Sequence, residues 1–118
     1  MENKIIEWIK GMEATEQIPE EIVALNFGIY ETEEGFCLYL CGSENYDAED
    51  DDWACDMDYE ADSDCLEIAN ASGMEWDTFL EKVAGILKSY FTQMPATSPF
   101  AGKIIATGFD DGELVRVL

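Results

Sequence analysis

The stretch that decides the fold runs from residue 24 to residue 43, ALNFGIYETEEGFCLYLCGS. Two runs rich in aromatic and aliphatic residues flank Glu33-Glu34-Gly35, and within each run the side chains alternate in character with a period of two. A two-residue turn at Glu34-Gly35 sets Glu33 opposite Phe36, Glu31 opposite Leu38, Ile29 opposite Leu40 and Phe27 opposite Gly42. The pairs Thr32–Cys37, Tyr30–Tyr39 and Gly28–Cys41 then fall on the other face. Each face collects its own apolar set, which predicts a hairpin in the interior of a sheet.

Working outward, Ile5, Ile6, Ile9 and Met12 recur at helical spacing with Trp8 beside them, predicting an amphipathic helix over 2–12 that ends near Gly11 and the loop at Ile18-Pro19. Residues 44–52 are too polar for a core and read as a loop. The segment WACDMDY reads as a short strand. From Asp56 the acids alternate (Asp56, Asp58, Glu60, Asp62, Asp64) with Met57, Tyr59, Ala61, Ser63 and Cys65, so an extended chain there has one acidic and one buried face. Leu66 and Ile68 mark another strand. Ser72-x-x-Glu75 has capping-box spacing and opens a helix over 73–91, with an apolar stripe of Trp76, Phe79, Leu80, Val83, Ile86, Leu87 and Tyr90. The segment 92–102, with Pro95 and Pro99, is a loop. KIIATGFDDGELVRVL then reads as a hairpin turning at Asp111-Gly112, with Phe109 facing Leu114. No repeat or domain boundary interrupts the chain. The expectation is a single α+β domain over 1–118, two helices packed on a mainly antiparallel sheet.

With 47% hydrophobic and 12% aromatic residues in 118, the chain has the material for one core and is unlike an acidic disordered tail. Its charge is the abnormal feature. Twenty-seven acidic residues against six basic ones give a formal charge of −21. No basic residue lies between Gly11 and Glu81, a span that holds 22 acids. Such a surface repels nucleic-acid phosphates and anionic membranes and attracts cationic partners. MENKIIEWIKGM carries no apolar run of signal-peptide length and no stretch approaches a membrane span, so the expected location is the cytoplasm, with the four cysteines as thiols.

The chain has no histidine, which removes Ser-His-Asp and Cys-His arrangements and His-ligated metals together. The cysteines, spaced C-x3-C, then thirteen and nine residues apart, have no zinc-knuckle pattern. Cys37 and Cys41 on one side of a strand stand roughly 13 Å apart along it, too far for one tetrahedral ion. All four read as small packing residues. Asp47, Glu49 and Asp51 mimic the start of a calcium loop, but Asp52 stands where glycine must turn the chain and Asp58 where the closing Glu belongs. Paired carboxylates for acid–base chemistry carry no specificity among 27 acids. The expectation is therefore no enzyme, no cofactor and no dedicated metal site.

Residues 44–64 gather 11 acids in 21 positions around Trp53 and Tyr59. Apolar anchors inside a charged rim are the composition of a protein-binding patch. The residues singled out are Asp50, Asp51, Asp52, Asp56, Asp58 and Glu60 for charge, Trp53 and Tyr59 for apolar contact, and Asp110 and Asp111 at the margin, with Trp53 weighted toward the core. In size, acidity and α+β pattern, with YDAEDDDWACDMDY (46–59) and TGFDDGELVRV (107–117) as its distinctive segments, the chain resembles the small acidic immunity proteins of bacterial toxin systems. That resemblance implies a non-catalytic inhibitor that binds a basic toxin, such as a nuclease, and presents carboxylates where the toxin expects phosphate. The alternatives left open are a calcium-responsive acidic module and a DNA mimic that occupies unrelated basic proteins.

Overall fold

The computed structural model describes residues 2–33, 35–46, 49, 53, 58–60, 65–69, 75–94, 98–109 and 114–117. The elements run α1 (Glu2–Thr15), β1 (Ala24–Glu31), β2 (Gly35–Ser43), β3 (Tyr59–Glu60), β4 (Leu66–Ala69), α2 (Trp76–Thr92), β5 (Ile104–Phe109) and β6 (Val115–Arg116). They build an α+β fold on one six-stranded mixed sheet. β2, β1, β5 and β6 follow in order, and β3 and β4 both pair with the outer side of β2. Every pairing is antiparallel except β1 with β5.

The predicted hairpin is present, with its register moved by two. Glu31 faces Phe36, Ile29 faces Leu38 and Phe27 faces Leu40. Thr32 and Gly35 close the hairpin: the Thr32 N–H donates to the Gly35 carbonyl at 2.8 Å. The Gly35 N–H also donates to the Thr32 hydroxyl at 3.1 Å, a bond that favours closure one residue earlier than the glycine suggests. A shift of two leaves every side chain on its expected face, because the pleat repeats every two residues.

The helices cover one face. Ile5, Ile9 and Met12 of α1 and Phe79, Val83, Leu87 and Phe91 of α2 pack onto Leu25, Phe27, Ile29, Phe36, Leu38 and Ile105 of the sheet. Phe36 stacks on Phe79 with centroids 4.1 Å apart, and Trp8 meets Phe27 edge-on at 5.9 Å. Each such ring removed from water contributes about 1.5–3 kcal/mol. α1 continues past Gly11, near which the sequence reading placed its end, to Thr15. A helical glycine costs about 1 kcal/mol relative to alanine, and burying Met12 at 1% exposure outweighs that. The added turn also carries Glu13, which accepts hydrogen bonds from the Tyr90 hydroxyl and, at 2.8 Å, from the Ser98 hydroxyl. Burial, and then the bond to Glu13, pushes the Tyr90 phenol up to about 12.

α2 begins at Trp76 and not at 73. Glu75 has an extended backbone at the N-cap, without a side-chain cap, so it cannot serve as the third helical residue of a capping box. Ser72 lies outside the described residues. The loop before β5 does more than connect, since it sends Phe100 fully into the core against Phe27 and Phe91. The C-terminal hairpin is shifted by one: Thr107 faces Val115 and Ala106 faces Arg116, so Leu114 does not oppose Phe109. That odd shift sends Leu114 to the face away from the helices and Val117 into the core. Its turn, 110–113, lies outside the described residues. Among those described, no helix is long and apolar enough to cross a membrane.

Candidate functional site

Among the described residues, neither α1 nor α2 packs on the second face of the sheet, which divides into two halves. Over β1, β5 and β6, Trp53 lies on Ala24 and Ala106, with Tyr46, Ile104 and Leu114 around it. Tyr46 packs edge-on against Trp53 at 5.4 Å, and the Arg116 guanidinium stands 5.7 Å from the Tyr46 ring centre. Trp53 is 5% exposed, so it is placed as a core residue, the role the sequence favoured. It sits in a helical-type turn and not in the strand expected for WACDMDY. Of that predicted strand, Tyr59 is in β3, and residues 54–57 lie outside the described ones.

The other half, toward the β3–β4 edge, is built from the complementary phase of the hairpin. Gly28 and Tyr39 are directly opposed in register. The Tyr39 ring lies over the bare Gly28 backbone, where any Cβ would overlap it. Tyr30 sits beside Tyr39 with centroids 6.2 Å apart. Cys37 and Cys41 lie on this face, as the alternation requires, and both are buried. The Cys41 thiol points to the Asn26 carbonyl at 3.9 Å. Asn26 itself is 5% exposed, and its Oδ1 has no hydrogen-bond partner among the described residues. An unmet buried acceptor costs on the order of 1–3 kcal/mol.

Carboxylates rim this half. Glu60 stands opposite Cys41 and Glu67 opposite Cys37, both exposed and both on the helix-free face. Glu44 and Glu49 are exposed on the adjoining segment. Asp58 is exposed, and its Oδ2 accepts from the Glu44 N–H at 2.9 Å and the Ser43 hydroxyl at 3.5 Å, so it also ties the end of β2 to β3. Tyr59 turns the other way. It opposes Gly42, packs against the helix-side core and donates its hydroxyl to Glu16 of the α1 end at 2.6 Å. Glu60 and Tyr59 thus take the opposite faces that the alternation of acids predicted.

Of the residues singled out from the sequence, the fold brings Asp58 and Glu60 together at the edge, puts Trp53 over the far half of the same face and directs Tyr59 to the helix layer. Asp50, Asp51, Asp52, Asp56, Asp110 and Asp111 lie outside the described residues. Sequence reasoning did not single out Glu67, Tyr30 or Tyr39 as neighbours of this acidic edge. The signal was there for the tyrosines, since they occupy the phase opposite to Phe27, Ile29, Leu38 and Leu40. Among the described residues, no three acidic or cysteine side chains converge closely enough to hold a metal ion.

Charge divides between the helices and the rest of the chain. The two helices carry four lysines against five carboxylates, and the rest of the chain carries the other twenty-two carboxylates with only Lys103 and Arg116. Lys103 donates to the Pro19 and Ile22 carbonyls, and burial lowers its pKa against the opposing pull of Glu20 and Glu21. No protein family, characterised protein or solved structure matches the chain.

Proposed function

We propose that this protein is a non-catalytic inhibitor of the immunity type, which captures and blocks a basic protein through the acidic helix-free side of its sheet. The observation that supports this reading most is the segregation of charge. The helices are nearly neutral, whereas Glu60 and Glu67 flank Tyr30 and Tyr39 on a face where Arg116, beside Tyr46, stands on the far, β5–β6 side. Two partly exposed tyrosines beside exposed rim carboxylates suit a cationic protein surface: the rings supply apolar contact and the carboxylates meet Lys and Arg. Such a field raises the encounter rate more than the final affinity, and it does so most at low ionic strength. A toxin that normally grips phosphate is the partner chemistry this arrangement fits.

The test starts with capture from a lysate at low salt and release at high salt, followed by association kinetics with the captured protein. Glu60→Gln with Glu67→Gln is expected to slow association by roughly ten-fold at low salt and to flatten its salt dependence. Asp51→Asn, Asp52→Asn and Asp56→Asn together measure what the adjoining acidic run adds. Rates that ignore both sets of substitutions remove this side of the sheet from the interaction. A partner whose own activity persists when bound removes the inhibitory role.

A further inference from the structure

The same edge holds a feature that binding does not use. Cys37 of β2 and Cys65, which immediately precedes β4, bring their sulfur atoms to 3.2 Å. That separation is about 1 Å longer than the ~2.05 Å of a disulfide. The two residues are unlike. Cys37 is buried at 4% exposure, and Cys65 is exposed. Cys65 also lies one residue beyond the β2–β4 ladder, whose last described pair is Leu38–Leu66, so that ladder does not itself hold its backbone. The Tyr30 hydroxyl stands 3.6 Å from the Cys65 sulfur. The other described thiol, Cys41, is buried and directed at the Asn26 carbonyl.

We propose that Cys37 and Cys65 form an oxidation site: a neutral hydroperoxide oxidises the exposed Cys65, and the buried Cys37 resolves it into an intramolecular disulfide that ties β4 to β2. In the first step the Cys65 thiolate attacks one peroxide oxygen and the O–O bond breaks, leaving Cys65 as a sulfenic acid and releasing hydroxide, which leaves as water. In the second, Cys37 loses its proton and attacks the Cys65 sulfur. The S–S bond forms, the S–O bond breaks, and the departing hydroxide leaves as a second water. Two thiols give up two electrons and two protons, and one hydrogen peroxide becomes two waters. The order of events follows from the site. Burial raises the Cys37 thiol above its ordinary range, which keeps it protonated until the exposed partner has reacted. Hydrogen bonds with Cys37 and then Cys65 raise the Tyr30 phenol well above its ordinary range, so it stays protonated beside the sulfurs.

Charge selects the oxidant. A formal charge of −21, with Glu67 two residues from Cys65, repels anionic oxidants such as glutathione disulfide and leaves an uncharged peroxide unaffected. The inference stands whether or not the acidic face binds a partner.

The experiment treats fully reduced protein with hydrogen peroxide and, in parallel, with glutathione disulfide, then titrates thiols after denaturation and maps peptides. With peroxide, two of the four thiols disappear, no disulfide-linked dimer forms, and Cys37 and Cys65 appear in one linked peptide. The glutathione disulfide arm lags by about ten-fold or more at low salt, and added salt narrows the gap. Cys65→Ser abolishes the link while keeping the buried Cys37, and Cys55→Ser leaves it intact. Oxidation raises the unfolding temperature of the parent by several degrees, reversibly on reduction, and does not raise that of Cys65→Ser. A link through Cys41 or Cys55, a disulfide-linked dimer, or four surviving thiols overturns the assignment. Equal rates for the two oxidants overturn the selection by charge.

Discussion

The two faces of the sheet come from the same strands and differ in almost everything else. Phe27 and Gly28 are neighbours, as are Leu38 and Tyr39, yet each pair parts to opposite sides of the pleat. On the helix side the alternate residues are large, apolar and fully enclosed, and their charge surroundings are balanced. On the open side they are a glycine, two tyrosines, buried thiols and an asparagine with an unmet acceptor, edged by carboxylates. The first set is what packing selects; the second lowers the stability available from the same backbone. A chain of this size has little stability to spare, so the lower-stability face is where a functional demand is best sought.

The contrast breaks most visibly at Phe27, which is fully buried and touches Trp8, Phe91 and Phe100. Phe27→Ala is expected to cost about 3–5 kcal/mol, the transfer term plus a cavity that four elements cannot close, read as a fall in the urea midpoint. A loss below about 2 kcal/mol would mean that the helix side is not the principal core. On the open side the corresponding test is Gly28→Ala. The new methyl group displaces the Tyr39 ring, at a cost of about 1–3 kcal/mol. In Tyr39→Ala the same glycine substitution should cost nearly nothing, a coupling a double-mutant cycle measures directly. Additive effects would show that the ring does not depend on the bare backbone beneath it.

How far the sequence revealed this contrast depends on the range of the interaction. The alternation through β1 and β2 was readable because it is local and survives a register shift of two, so Cys37, Tyr39 and Gly28 were assigned to the correct face from the wrong turn. The C-terminal hairpin was not so forgiving: a shift of one exchanged the roles of Leu114 and its neighbours. Gly11 misled because a helix-breaking propensity of about 1 kcal/mol loses to the burial of Met12 and the bonds made by Glu13. The parallel pairing of β1 with β5, the passage of Trp53 onto the second face and the meeting of Cys37 with Cys65 join residues far apart in the chain. No periodicity in one sequence encodes those contacts. The acidic run was evident from composition alone, whereas the tyrosines beside it required the fold.

A smaller effect separates the helix side by pH. Tyr90 has its phenol raised from 10.0 to about 12, chiefly by burial and then by Glu13. A raised folded value favours the native state fully below pH 10 and loses that contribution as the pH climbs toward 12, because the unfolded chain then ionises first. The side chain is only partly buried, so solvent screening reduces the loss to about 1 kcal/mol. Urea unfolding across this window should show a steeper alkaline decline for the parent than for Tyr90→Phe. Identical slopes would mean that the Tyr90–Glu13 contact contributes nothing to the fold.

The smallest expected change in stability falls where the largest change in binding is expected. Glu60→Gln with Glu67→Gln removes two exposed charges from a molecule carrying −21, and neither side chain fills a core. Stability should move by no more than about 0.5 kcal/mol, and upward, because repulsion at the edge is relieved. Lys4→Gln with Lys10→Gln on α1 is the matching control: it deepens the imbalance, so its small shift should be downward, and salt should shrink both shifts through the same screening. If the glutamate pair instead costs more than about 1 kcal/mol, the two carboxylates hold the β3–β4 edge together, and the open face is structural like the other. If stability rises as expected while association with a cationic partner slows, the carboxylates are kept against the interest of the fold, which is the condition a binding surface meets and a merely hydrated one does not.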